Sequence, residues 1–290
     1  MPELPDLTIL AEAFRAALVG RTIVATAARD PLVLRATPVE FAALVGEQLR
    51  DVRRRGKFLI LTTEHTSLWA APMLTGRFGM VPPSARRPRG SVVIRLGPRT
   101  GQGAEDPAPW THGAGWIPVP EADVELRYLD PTRMGKLYLV PVDAPHTVPG
   151  AGPAELGPDA DDPALTVGEF QTRIRRHPGE LKGLLRNQSF VAGIGNAYSD
   201  EILWAARLSP FRRRSTLAAE EVDALYAAMR GTLAESIEIL RVRVPPTFEK
   251  QVRDHLKVHL RGGLPCVRCG AVVSQLGGRE ATSYCRACQR

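Results

Sequence analysis

The chain opens Met1-Pro2-Glu3. Methionine is commonly trimmed ahead of proline, which leaves Pro2 with a free secondary amine beside the Glu3 carboxylate. An α-amine has a reference pKa near ~8, so a usable fraction is neutral and nucleophilic at neutral pH. A secondary amine that attacks a sugar aldehyde carbon gives an iminium, which is an electron sink. Two residues alone also fit an ordinary N-terminus, so this chemistry needs support from elsewhere in the chain.

Four cysteines, all that the chain has, form two pairs near the other end: Cys266-Val267-Arg268-Cys269 and Cys285-Arg286-Ala287-Cys288, fifteen residues apart. Two C-x-x-C turns at this spacing suit tetrahedral zinc, each turn supplying two thiolates. Two disulfides or a redox pair are the other readings. The chain starts without a charged-then-apolar signal segment, which argues against a secreted disulfide framework. The expected location is therefore cytoplasmic, nucleoid-associated if the source is prokaryotic. Four ligands leave a metal no open position, so its expected role is structural. Arg261, Arg268, Arg279, Arg286 and Arg290 lie in and around the pairs and form a basic ribbon suited to phosphates.

These groups need a scaffold, and the composition supplies one. At 290 residues and 44% hydrophobic there is material for two domains and a small module. No apolar run is long enough to span a membrane. The formal net charge is +7. The segment Pro141–Phe170 holds Asp143, Glu155, Asp159, Asp161, Asp162 and Glu169 and no Lys or Arg, so most of the excess lies beyond Gln171. A basic half behind an acidic connector suggests a nucleic-acid surface, with a solvated basic face as the plain alternative.

Asp6 can cap a helix from about Leu7 to Val19. Strand-like runs follow at Thr22–Ala27, Gln48–Arg53, Phe58–Thr62, Leu68–Ala71, Val92–Leu96, Val124–Leu129 and Lys136–Val140. Between the first two, Thr37-Pro38-Val39-Glu40 forms a capping box for a short helix ending at Gly46. Many short strands with Gly and Pro punctuation predict a β-sandwich. Pro98–Pro120 reads as irregular, and Pro141–Pro163 as the interdomain linker.

Beyond the linker the pattern is helical. Thr166-Val167-Gly168-Glu169 caps a helix to about Arg176, and others cover roughly Glu180–Asn187, Ala197–Ala206 and, as one or two helices, Leu217–Leu240. Val191-Ala192-Gly193-Ile194-Gly195-Asn196 is a glycine-rich double turn. Such a turn can offer backbone N–H groups and a helix N-terminus to a phosphate, with Asn196 adding a side-chain donor. A packed helical corner explains the glycines as well.

Pro2-Glu3-Leu4-Pro5, Arg55-Gly56-Lys57, Leu181-Lys182, the run Val191–Glu201 and the terminal cysteines occur together and in order. This set resembles the formamidopyrimidine-DNA glycosylase / endonuclease VIII family, across the whole chain. The resemblance implies an α+β protein: an N-terminal β-sandwich with flanking helices over 1–140, a linker over 141–165, a helix–two-turn–helix domain over 166–260 and a zinc ribbon over 261–290. It implies a bifunctional DNA glycosylase and abasic-site lyase of base-excision repair, acting as a monomer on oxidised bases in damaged, duplex DNA. Pro2 would attack C1′ of an extruded nucleotide, Glu3 would shuttle protons, and β- or β,δ-elimination would follow. Lys57 would pair with a phosphate beside the lesion. Lys182, Asn196 and Arg279 would contact phosphates.

Departures from the family pattern bear on lesion choice. Ala71 stands where a histidine is usual, and Leu74, or Met73 if the register slips, falls where a residue fills the gap left by the extruded nucleotide. In Asp130-Pro131-Thr132-Arg133-Met134, Thr132 replaces an arginine expected at the orphaned base, with Arg133 as substitute. Met134 replaces an aromatic wedge, and methionine stacks less well. Asn187 replaces a common aspartate. The altered wedge keeps a non-catalytic damaged-DNA-binding protein, or a lyase alone, as alternatives; RNA binding would leave Pro2-Glu3 unexplained. The six histidines show no ligand spacing, the four tryptophans read as packing residues, and Arg53–Arg55 and Arg212–Arg214 as DNA-facing or solvated.

Overall fold

Leu7, Leu10, Ala11, Phe14 and Leu18 repeat at helical spacing, and all are buried on α1 (Leu4–Leu18) in the computed structural model. The helix starts three residues before the expected Leu7, so Asp6 sits inside its first turn instead of capping it. Pro5 is tolerated there because first-turn nitrogens have no helical acceptor. Residues 1–85, 91–152, 155–278 and 280–290 are described.

The chain forms two compact units. The first comprises Met1–Pro2, Asp6–Gly152 and Leu240–Val252, and the second Glu3–Pro5, Pro153–Ile239 and Arg253–Arg290. This division departs from simple cuts at 140, 165 and 260, because Leu240–Val252 belongs to the first unit.

The first unit is a β-sandwich. Strands β1 (Arg21–Ala28), β7 (Val92–Arg99), β8 (Val124–Leu129) and β6 (Arg77–Val81) form one antiparallel sheet in that order. The other is β2 (Leu34–Arg35), β9 (Lys136–Pro141), β5 (Thr66–Ala71), β4 (Phe58–Thr62) and β3 (Asp51–Arg55), with β2 and β9 parallel. Ile23, Ile94 and Leu96 of the first sheet face Leu61 and Leu68 of the second around one small internal void. Gln48 makes only an isolated bridge to Thr22, so β3 begins later than expected. The short helix α2 (Pro38–Ala42) carries the expected reciprocal cap between Thr37 and Glu40. Buried Arg21 donates to the carbonyls of Ala17, Gly97, Pro118, Val119 and Ala122, which pins the irregular stretch after β7.

The linker is not a free tether. Val148 packs on Phe58, Ile60 and Trp69 in the first unit. In the second unit Gly157 and Ala160 donate to Gln188 and Ala192 carbonyls, and Leu156, Ala160 and Leu165 are buried.

The second unit contains α3 (Val167–Arg175), α4 (Leu181–Arg186), α5 (Asn196–Ala205) and most of the single long helix α6 (Ala219–Arg243), then a hairpin of β10 (Ser274–Leu276) and β11 (Thr282–Tyr284). Thr166 caps α3 by accepting from the Glu169 nitrogen. Between α4 and α5, Gln188 holds the double turn. Its amide nitrogen donates to Arg186 and Ile194 carbonyls, and its oxygen accepts from the Gly193 nitrogen.

Candidate active site and metal site

In the first unit Pro2 is buried and lines a pocket with Asp6, Leu10, Arg77, Phe248, Lys250 and Gln251. The carbonyl oxygen of Met1, on the carbon bonded to the Pro2 nitrogen, accepts from the Gln251 amide nitrogen at 2.9 Å. Arg77 donates to the Gln251 oxygen at 2.9 Å, and to the carbonyls of Gly76 at 2.7 Å and Leu74 at 3.3 Å. Lys57 is half-buried in the two-residue turn between β3 and β4, where Gly56 takes a left-handed φ of +54°.

Two loops of this unit meet at one carboxylate. Asp130, 3% exposed, accepts from the hydroxyls of Thr75, Thr132 and Tyr128 and from the Gly135 nitrogen at 2.6 Å. Burial disfavours its charge, but the donors from Thr75, Gly135, Thr132 and Tyr128 outweigh that and hold its pKa below the ordinary value. Beside it the Tyr128 hydroxyl is pushed up by burial and by the Asp130 charge. Thr75 follows Leu74, and Thr132 precedes Arg133 and Met134, so the network fixes both turns that carry the expected gap-filling residues. Arg133 pairs with Asp30 at 2.5 Å, and Met134 is 39% exposed. Leu74 is half-buried.

In the second unit the Glu3 carboxylate lies on the N-terminus of α5. Its oxygens accept from the nitrogens of Gly195 at 2.6 Å, Ala197 at 2.9 Å and Tyr198 at 3.2 Å. These are donors that the first helical turn cannot use itself, and the helix dipole favours an anion there. The Leu4 nitrogen donates to Gly193. A Cβ at Gly195 would lie 2.5 Å from Glu3 Cδ, and one at Gly193, with φ +100°, 2.7 Å from the Leu4 side chain. The glycines thus admit the N-terminal residues, and a side chain occupies the helix end that the sequence pattern offered to a phosphate.

Lys182 also differs from expectation. It is 6% exposed, and its Nζ donates to Asp200 Oδ1 at 2.6 Å and to the Ala281 carbonyl at 3.3 Å. In this structure it is a buried ion-pair partner. Burial pulls its pKa down, and Asp200 works against that. Asn196 donates to the Ala281 carbonyl at 3.1 Å, while its Oδ1 is buried without a hydrogen-bond partner. Its amide nitrogen therefore ties α5 to the hairpin region. Arg279 lies outside the described residues; its neighbour Glu280 pairs with Arg186 at 2.6 Å.

Asp200 and Glu201, adjacent on α5, anchor the C-terminal module. Asp200 Oδ2 meets His259 Nδ1 at 2.8 Å and the Ser283 nitrogen at 3.2 Å. Glu201 accepts from the nitrogens of Lys257, Val258 and His259, all at 2.8 Å. Burial nevertheless pushes its pKa up. The sequence pattern contains both acids, but nothing in it assigns them these partners.

The ligand atoms of Cys266, Cys269, Cys285 and Cys288 lie within 4.8 Å of one another, with Cys266–Cys288 at 3.9 Å and Cys269–Cys285 at 3.5 Å. Thiolates around one tetrahedral zinc at about 2.3 Å would be about 3.8 Å apart, so the cluster fits a metal ion. Burial disfavours the Cys266 thiolate, but the Trp204 indole (3.4 Å) and the nitrogens of Arg268 and Cys269 more than offset this and lower its pKa to about 6. Arg268 stacks on Trp204 at 3.8 Å.

Residues 1–137 match the formamidopyrimidine-DNA glycosylase N-terminal domain, and residues 156–244 match the formamidopyrimidine-DNA glycosylase H2TH domain. The formamidopyrimidine-DNA glycosylase of Thermus thermophilus is 31% identical over 100% of this chain and 98% of its own length. This chain belongs to the formamidopyrimidine-DNA glycosylase family. The enzyme of that name from Pelotomaculum thermopropionicum is 30% identical over 100% of this chain and 99% of its own. A solved complex of Lactococcus lactis Fpg with DNA containing an abasic site shares the fold at a TM-score of 0.82 and 22% identity, over 99% of both chains. In this member of the family the double turn between α4 and α5 is the H2TH element, and it holds Glu3.

Proposed function

We propose that this protein is a bifunctional DNA glycosylase and abasic-site lyase of base-excision repair, acting as a monomer on oxidised bases in duplex DNA. Its membership of the glycosylase family supports the first activity. The observation that carries the second is Pro2, buried in a pocket that also presents Arg77, Lys250 and Gln251.

With Met1 removed, the Pro2 lone pair forms a bond to C1′ of an extruded nucleotide. The base leaves with the electron pair of its glycosidic bond and takes a proton from water. Glu3 receives the proton that the amine loses and returns it to ring oxygen O4′. The C1′–O4′ bond breaks as the nitrogen pair forms the iminium. Loss of the C2′ proton then expels the 3′ phosphate, and a second elimination expels the 5′ phosphate.

Lys57 pairs with a phosphate beside the lesion, and Arg279 with another. Leu74 fills the vacated gap, Arg133 faces the orphaned base and Met134 wedges beside it. Cys266, Cys269, Cys285 and Cys288 hold a zinc ion that stiffens the ribbon and takes no part in the chemistry.

Borohydride trapping tests the reading on three labelled duplexes: 8-oxoguanine, thymine glycol and a bare abasic site. An adduct on a base lesion that vanishes when the N-terminal amine is blocked supports it and names the substrate class. An adduct on the abasic duplex alone reduces the protein to a lyase. Tight binding without any adduct overturns the catalytic reading.

A further inference from the structure

The Met1 carbonyl carbon is bonded to the Pro2 nitrogen and carries an oxygen. That N–C–O connectivity is the one that C1′ acquires when the trimmed Pro2 amine attacks a sugar. In a nucleoside the oxygen is O4′, and in an abasic aldehyde it is the former carbonyl oxygen. The Met1 oxygen therefore marks a direction in which an oxygen on C1′ can point, and the Gln251 amide donates to it at 2.9 Å. Pro2 and Gln251 line the same pocket.

The orientation of that amide is fixed by its other partner. A guanidinium can only donate, so Arg77, 2.9 Å away, must face the Gln251 oxygen. The NH2 end is then turned toward the atom on the Pro2-linked carbon. Trimming of Met1 removes its acceptor and leaves the donor facing the reacting centre.

We propose that Gln251 is a catalytic donor that stabilises the oxygen leaving C1′ during iminium formation, with Arg77 as its positioning residue. This rests on the Pro2 mechanism above. On attack, the nitrogen–C1′ bond forms as the glycosidic bond of a nucleoside, or the C1′–O π bond of an abasic aldehyde, breaks, and the amine proton passes by way of Glu3 to the oxygen. As the nitrogen pair forms the iminium, the C1′–O bond breaks and its electron pair moves onto that oxygen, which stays on the sugar as the O4′ hydroxyl or, from the aldehyde, departs as hydroxide that takes a proton from water. Gln251 transfers no proton; it hydrogen-bonds the oxygen while the bonding pair shifts onto it. A donor aimed at developing charge is worth about 100-fold or more in rate.

The test is single-turnover borohydride trapping and strand cleavage on a preformed abasic duplex with trimmed wild-type protein, Gln251→Met and Gln251→Glu. Methionine keeps the bulk without a donor, and glutamate keeps the Arg77 contact without one. Rates are normalised to the fraction of protein that binds a tetrahydrofuran-containing duplex, so a partly misfolded variant still reports. Both variants are expected to form the adduct about 100-fold more slowly, with tetrahydrofuran-duplex Kd within about twofold of wild type. Wild-type rates in both variants overturn the inference and leave the Pro2 reading intact. Weakened DNA binding with unchanged rates at saturation also overturns it, in favour of a binding role. No adduct from wild-type protein overturns the Pro2 reading and this inference together.

Discussion

The Gly195 nitrogen donates to Glu3 Oε2 at 2.6 Å, and a Cβ on Gly195 would lie 2.5 Å from Glu3 Cδ. The proposed proton-shuttling carboxylate is thus seated by a residue 192 positions away. Gly195→Ala displaces the end of a flexible side chain, so its stability cost is expected to be about 1–2 kcal/mol. Base release should fall at least about tenfold, because Glu3 loses its seat. Thermal melting beside single-turnover excision checks this. A large loss of Tm with full activity per folded molecule would refute it.

Lys182→Ala leaves Asp200 buried without its cation. The expected cost is about 3–5 kcal/mol, read by denaturant unfolding. The slope of log Kd for DNA against log salt should be unchanged. Loss of a true phosphate contact would reduce it by about one.

Asp130 gives an acid limb to stability. Its folded pKa lies below the ordinary 3.8, so its contribution is complete above about pH 4 and is lost as pH falls through the lower folded value. Asp130→Asn should flatten that limb. It should also cost about 2–3 kcal/mol at neutral pH, because an amide cannot accept from all the donors around it. Urea unfolding at a series of pH values checks both. Excision should fall as well, since the turns bearing Leu74 and Met134 share this anchor.

A strong chelator should remove a single zinc ion per chain and quench or shift Trp204 emission, since the indole nitrogen sits 3.4 Å from Cys266 Sγ. DNA affinity should fall at least tenfold and return with zinc. Metal analysis and fluorescence report this, and retention of emission and affinity after metal loss would contradict it.

The helices, most strands and the cysteine pairs were legible because periodicity, capping boxes and C-x-x-C spacing are local signals. Strand β6 was not: Arg77-Phe78-Gly79-Met80-Val81 has a glycine at its centre, and its pairing with β8 is a long-range fact. The glycine-rich turn was visible, but its occupant was not. Choosing a carboxylate over a phosphate for the α5 N-terminus requires knowing that residues 3 and 195 meet. The partners of Lys182 are hidden for the same reason, since they lie 18 and 99 residues away. Gln251 carried no motif at all, because its significance comes only from Arg77 and Met1 around it.

Helix α5 binds Glu3 at its first turn and, through Asp200 and Glu201, the segment that leads into the cysteines. Lys182 and Asn196 fasten the same region at the Ala281 carbonyl. Residues from the two extremes of the polypeptide therefore share one support that neither can complete alone. During synthesis residues 6–152 emerge before the residues that build this support, which closes only once the segment around Ala281 is also available. The seat of Glu3 and the anchorage of the cysteine-bearing segment are thereby coupled through one helix, so loosening either end of α5 is felt at the other.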